Sequence, residues 1–321
     1  MKIIVTGATG FVGHTVVKAA LERGHTVIAV GGSKTPVLKG VASSHAIDLR
    51  ETAAIERLIL DEFPGAIINC AAVATITGCD ADPALAERIN VALPRHLAML
   101  ANHLGARFVH ISTDMVFDGD KGRYEHTDKP LPLHLYGQTK LLGEREVLKF
   151  GKSHAVVLRT TPVCGNSPAG DKSLNERLLR DWAAGKVTPL FTEEIRQPVE
   201  VTNLADAIVE LCERDNLSGV YHWAGEEALS RYEIGRRICE KLGLTPENHI
   251  RPATYAEVPN LGRRPRDLSF ILHPLQGKLR TRVQSFDTIL DAMTVPADLA
   301  TWYALATGRT IVRKLVKGVD F

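Results

Sequence analysis

The sequence lacks paired cysteines. Its five, Cys70, Cys79, Cys164, Cys212 and Cys239, are odd in number and scattered, and none forms a CxxC. This excludes a disulfide framework or thiolate zinc site and fits a reducing, cytoplasmic compartment. Long apolar runs are also missing. The longest, AIINCAAVATI, is far shorter than a membrane span, and the opening MKIIVTG is too short for a signal-peptide core. Net charge is only +2 over 321 residues, which leaves no case for a nucleic-acid or membrane partner. The basic tail from Arg309 to Lys317 reads as a solvated helix face. Twelve histidines without ligand spacing give no metal site. No internal repeat or low-complexity tract occurs, and 45% apolar with 24% charged residues is an ordinary soluble composition.

What is present is alternation. KIIV, HTVIAV, AIIN, RFVHIS and AVVLR read as strands, separated by amphipathic helical stretches such as Phe11 to Arg23 with Gly24 as its stop. Strands alternating with helices predict an α/β fold, a doubly wound parallel sheet of Rossmann type, with a smaller α/β substrate-binding domain. The dinucleotide-binding domain is expected over residues 1–165, with a return of the chain around 195–222. Residues 166–321 are expected to be mainly the substrate domain with a C-terminal helical extension. In that half, NERLLRDWAAG reads as a helix and PNLGRRPRD as a loop. QPVEVTNLADAIVEL reads as a short strand and a helix capped by Thr202 or Asn203, and Ser230 with Glu233 forms a capping-box pattern.

Gly7, Gly10 and Gly13 are spaced G-x-x-G-x-x-G between the first strand and first helix, within TGATGFVG, which also holds Thr9, Phe11 and Val12. Glycines there permit a tight turn and close approach of a diphosphate to backbone N–H groups at a helix N-terminus. An acidic residue after the second strand would hold a free ribose 2′-hydroxyl. None lies between Glu22 and Asp48, whereas Ser33 and Lys34 follow that strand. The cofactor is therefore expected to be NADPH, with NAD possible. Asp48 could accept from the adenine amino group or cap the next helix.

In HLYGQTKLLGE, Tyr136 and Lys140 are four apart and share a helix face. The ammonium is expected to lower the phenol's pKa, so that Tyr136 can give a proton to a forming alkoxide. Thr113 follows the strand RFVHIS at its C-terminal end, the sheet edge where ligands bind, with Asp114 next to it. His110 reads as packed in that strand and His134 as a loop residue. Asn90 is expected to bridge its helix to the strand of Thr113. Arg196, Arg263, Arg264 and Arg266 are candidates for a substrate diphosphate.

These pieces in this order resemble the extended short-chain dehydrogenase/reductase superfamily. STDMVFDG, YGQTKLLGE, LRTTPVCG and GVYHWAGEEALSRYEIG most resemble the dTDP-4-dehydrorhamnose reductase family, over about residues 2–290. The resemblance implies NADPH-dependent reduction of a nucleotide-linked 4-keto-6-deoxy sugar and a homodimer. Tyr136 would be the proton donor, Lys140 its partner, and Thr113 a tuning or substrate-binding group. Asp48 and Leu49 would sit at the adenine, and Asn69 to Val73, including Ala71 and Ala72, would line the cofactor. Met115 stands where the family often has an aromatic residue, and Pro162 where it often has tryptophan. A related dehydratase carries Asp-Glu after its threonine; here Met115 follows Asp114, so the base is missing. Epimerases share the tyrosine and lysine. The beta regulatory subunit of methionine adenosyltransferase resembles the same reductases and supplies a non-catalytic alternative.

Overall fold

The computed structural model describes residues 1–258 and 262–309. Seven strands form one parallel sheet: β1 (Lys2–Thr6), β2 (Thr26–Gly31), β3 (Ser43–Ala46), β4 (Ala66–Asn69), β5 (Arg107–Thr113), β6 (Ala155–Thr160) and β7 (Gly219–Trp223). Their order is β7-β6-β5-β4-β1-β2-β3. The order reverses between β1 and β4, which opens a crevice at the strand C-terminal ends. The central strands are short Val/Ile-rich runs because both faces are covered. Ile3 and Val5 point into one apolar cluster and Ile4 into the other, as a period of two requires.

The helices α1 (Phe11–Glu22), α2 (Thr52–Glu62), α3 (Leu93–Leu104), α4 (Leu135–Gly151), α5 (Leu174–Ala183), α6 (Val201–Cys212) and α7 (Arg231–Leu242) carry the packing. Helices α1 and α6 cover the first face; α2, α3 and α4 cover the second. A separate cluster joins Leu178, Leu179 and Trp182 of α5 to Ile234 and Ile238 of α7, with Phe286 and Ile289.

Several local expectations change. Two strands were not legible: β3 is the polar SSHA, and β7 is GVYHW. Helix α6 is capped by neither Thr202 nor Asn203; the Glu200 carboxylate accepts the Asn203 N–H at 2.8 Å. Ser230 caps α7 by accepting from the Glu233 N–H. The Glu233 carboxylate instead engages Arg236, so only half of the box forms. Beyond the main body, a helix over Ala300–Thr307 lies on the surface, with Tyr303 donating its hydroxyl to Leu242 O. Pro259 to Leu261 of the expected loop, and the basic tail past Arg309, lie outside the described residues. Among those described, no helix is long and apolar enough to cross a membrane.

Candidate active site

The turn after β1 is built for close approach. Gly7 has φ +71, and a Cβ there would lie 2.7 Å from Ala71 N. At Gly13 a Cβ would lie 2.2 Å from Gly7 O, so only glycine lets α1 start against the strand. Helix α1 begins after Gly10 with no acidic residue in its first turn. The amides of its first turn lack intrahelical acceptors and face the crevice end. A cleft of about 570 Å³ runs from Gly7, Thr9 and Gly10 past Ala71 and Ala72 to Ser33, Asp48, Leu49 and Arg50. A second cavity, about 190 Å³, is lined by Val12, Thr113, Tyr136 and Lys140 and shares Cys70 and Ala72 with the first. A dinucleotide with its diphosphate on the glycine turn fits this pair of spaces.

The adenosine end differs from expectation in two respects. Lys34 is exposed and is not among the residues lining the cleft, whereas Arg50 is. Asp48 caps no helix: Glu51 holds that position. Asp48 instead accepts the Arg50 N–H and its guanidinium, which together hold the carboxyl at about 2. Arg50 spends Nε and one Nη on that carboxylate, which leaves the other Nη free of hydrogen bonds. Phe11 and Val73 line none of these spaces; Val73 is held by its backbone to Asn90.

Thr113 ends β5, and Tyr136 and Lys140 sit one turn apart on α4. All three line the 190 Å³ cavity, and Thr113 and Tyr136 also line a third that adjoins it, about 350 Å³, with Asp114, Met115, Pro162, Arg177, Arg196 and Arg231. The Thr113 hydroxyl donates to Asp114 Oδ1 at 3.1 Å and accepts from Met115 N at 3.2 Å. Asp114 Oδ2 is buried with no partner among the described residues, and burial raises that carboxyl to about 6. Met115 and Pro162, the two departures from the resembled family, both line this cavity.

The expected tuning of the phenol by the lysine does not hold. Tyr136 is pushed up to about 12, first by burial, although its hydrogen bond with Thr113 pulls the other way. The charges beside it, Asp114 and Cys79, are acidic and raise it further. Lys140 is pushed down to about 8 by burial, and its Nζ is committed elsewhere: it donates to Ile111 O at 2.6 Å and meets His110 Nε2 at 3.3 Å. His110 is thus buried, as expected, but also bonded to a site residue. His134 stands at the N-terminal boundary of α4 without capping it.

Asn90 does not reach the strand of Thr113. It lies in a π-helical turn over Arg88–Ala92, a local form often found at functional sites. Its side chain clamps Val73 through both backbone groups and donates to Thr139 Oγ1 on α4 at 3.1 Å. It therefore ties the loop after β4 to the helix of Tyr136.

The arginines sort by partner. Arg263 pairs with Asp120 at the surface, and Arg266 stacks over Tyr255. Arg196 is buried and donates to the carbonyls of Ile195, Pro265 and Arg266. Its donors staple the 265–266 segment while its side chain lines the cavity. Glu194, fully buried, receives Arg196, Arg231 and Arg264 together. One carboxylate among three guanidiniums leaves that wall positive. Arg177 and Arg231 were not singled out from the sequence, because their place at the cavity depends on how α5 and α7 pack.

The profile of the RmlD substrate binding domain family matches residues 1–297. The probable low-salt glycan biosynthesis reductase Agl14 of Haloferax volcanii is 33% identical, over 87% of this chain and 92% of that one. The methionine adenosyltransferase 2 subunit beta of Xenopus laevis is 33% identical over 79% and 75% of the two chains. A dTDP-4-dehydrorhamnose reductase of Mycobacterium tuberculosis is 31% identical over 80% and 81%. Among solved structures, a hypothetical dTDP-4-dehydrorhamnose reductase from Sulfolobus tokodaii superposes with TM-score 0.79. It is 32% identical and covers 92% of this chain and 100% of its own. The Bacillus anthracis dTDP-4-dehydrorhamnose reductase solved with NADP shares the fold, at TM-score 0.78 and 22% identity, over 90% and 97% of the chains.

Proposed function

The chain belongs to the RmlD substrate binding domain family, within the extended short-chain dehydrogenase/reductases, and on that footing we propose that it is an NADPH-dependent reductase of a nucleotide-linked 4-keto-6-deoxy sugar. One observation carries the reading: Thr113 and Tyr136 stand where a dinucleotide-sized space adjoins a basic, sugar-sized cavity, with Lys140 on the cofactor side. On this reading residues 1–165, rejoined by 195–222, are the cofactor part, and the other described residues after 165 are mainly the substrate part. When bound, NADPH supplies the hydride. Thr113 orients the carbonyl oxygen, and Tyr136 gives that oxygen its proton as it becomes an alkoxide. A phenol held near 12 stays protonated until then, and an alkoxide is basic enough to take its proton. Asp114, with Oδ2 unpartnered in the cavity, offers a hydrogen bond to a sugar hydroxyl.

At the adenosine end, Ser33 and the free Nη of Arg50 would take a 2′-phosphate, a role supported by their both lining the cleft. NADPH should bind more tightly than NADH. Arg50→Ala should weaken NADPH by one to two orders of magnitude, through loss of a charged hydrogen bond of about 1.5–3 kcal/mol, and leave NADH almost unaffected. Lys34→Ala should do less. Fluorescence titration measures all three, and tighter NADH binding by the unmodified chain overturns the assignment.

The substrate diphosphate is assigned to the wall of Arg231 and Arg177. Arg231→Ala should raise KM several-fold, whereas Arg263→Ala, at a solvated surface pair, should not. Equal KM values for both variants and the unmodified chain would remove the arginines from recognition.

A second reading has its own observation, the 33% identity to a methionine adenosyltransferase beta subunit. The chain would then hold NADP and a partner enzyme without turning over a sugar. The intact Thr113, Tyr136 and Lys140 set favours turnover.

A further inference from the structure

A buried chain of hydrogen bonds runs from the end of β1 to the helix of Tyr136. Asn69 Oδ1 accepts from Thr6 Oγ1 at 2.7 Å and from the Ala71 N–H at 3.2 Å. A backbone N–H can only donate, so this end of the amide is its oxygen. The amide nitrogen therefore faces His110 Nδ1, 3.0 Å away, and Nδ1 must accept. His110 is fully buried, and burial with the nearby Lys140 charge keeps its ring neutral. A neutral ring that accepts at Nδ1 carries its hydrogen on Nε2. That hydrogen points at Lys140 Nζ, 3.3 Å away.

We propose that His110 is a positioning residue for Lys140: locked in the Nε2–H tautomer by Asn69, it presents an N–H to the lysine and so governs when that lysine carries its charge. An amine completes the arrangement. Its lone pair accepts the His110 N–H, one hydrogen goes to Ile111 O at 2.6 Å, and the other is left for the cavity. An ammonium would set a donor against a donor. The inference rests on the reading of Lys140 as partner of Tyr136. The lysine is sensitive to His110 because its other neighbours act oppositely: Glu144 on its own helix, Cys70 after β4 and Cys79 on the 76–81 helix all favour the ammonium. Tyr136 lies one turn before it and Asp114 beyond Thr113. The lock also links the glycine turn to the proton donor, since Thr6 directly precedes Gly7 and Ala71 lines the cofactor cleft.

The test uses the full chain with 15N-labelled histidine and lysine, assigned through the backbone. In the unmodified protein, His110 should show one ring nitrogen protonated, Nε2, without titrating between about pH 5 and 8. A proton on Nδ1, or a ring that titrates in that range, overturns the proposal. His110→Gln offers an oxygen to the ammonium in place of an N–H. The Lys140 Nζ titration, about 8 in the unmodified chain, should move up by about one unit or more. An unmoved or lowered midpoint overturns the proposal. Turnover should be lost on the alkaline side at the same shifted pH. If the tautomer and the Lys140 shift appear while no ketone is reduced, the reductase reading fails and the role of His110 stands.

Discussion

Tyr136→Phe should leave NADPH affinity nearly unchanged and lower carbonyl reduction by a factor on the order of 100 to 10,000, the usual contribution of a positioned general acid. The phenylalanine keeps the ring in the wall shared by the two inner cavities and removes only the hydroxyl. Thr113 then loses its phenol partner but keeps Asp114 and the Met115 N–H, so the strand end should hold its shape. The effect therefore belongs in turnover rather than in binding. Steady-state kinetics beside a fluorescence binding titration separates the two. Turnover within a few-fold of the unmodified enzyme would mean that another group, of which Asp114 is the nearest candidate, supplies the proton.

The second large effect is on stability. Glu144 and Arg159 form an ion pair with side chains only 2% and 4% exposed. The guanidinium reaches the carboxylate at 3.0, 3.2 and 2.7 Å, Ser112 donates to it, and the Phe117 ring lies 5.1 Å from the Arg159 guanidinium carbon. Glu144→Gln keeps the shape and deletes the charge that the buried arginine needs. Removing one partner of a buried pair costs about 3–5 kcal/mol, far more than the pair contributes against an apolar replacement. Urea unfolding should show the midpoint falling by a corresponding amount. The double change Glu144→Leu with Arg159→Met should recover most of the loss. A single-mutant loss below about 1 kcal/mol would mean that water reaches the pair.

Much of the site was legible because its signals are local. The glycine turn announces itself through residues whose backbone needs no side chain can meet. Tyr136 and Lys140 share a face by helix period alone, and Thr113 closes an apolar strand. What escaped depends on contacts far apart in sequence. Arg50 reaches the cleft only because β3 brings the chain back beside β2, and β3 is a polar strand held in place by pairing with β2 rather than by composition. The positive wall needs Glu194 to gather arginines from three segments. The phenol's pKa is not legible from spacing, which shows the lysine one turn away but not that its Nζ turns to Ile111 O and His110. Glu200, a long side chain at a cap usually filled by shorter ones, displaced both sequence candidates.

On the proposed function this chain reduces a ketone. The most direct measurement follows the loss of reduced-nicotinamide absorbance when the protein and NADPH meet a panel of nucleotide-linked 4-keto-6-deoxy sugars. Consumption of NADPH with at least one of them, faster than with NADH and largely abolished by Tyr136→Phe, is the predicted result. Tight NADPH binding with no ketone reduced, together with a partner enzyme that copurifies and changes its activity on binding, would contradict it and make this a regulatory subunit on a reductase fold.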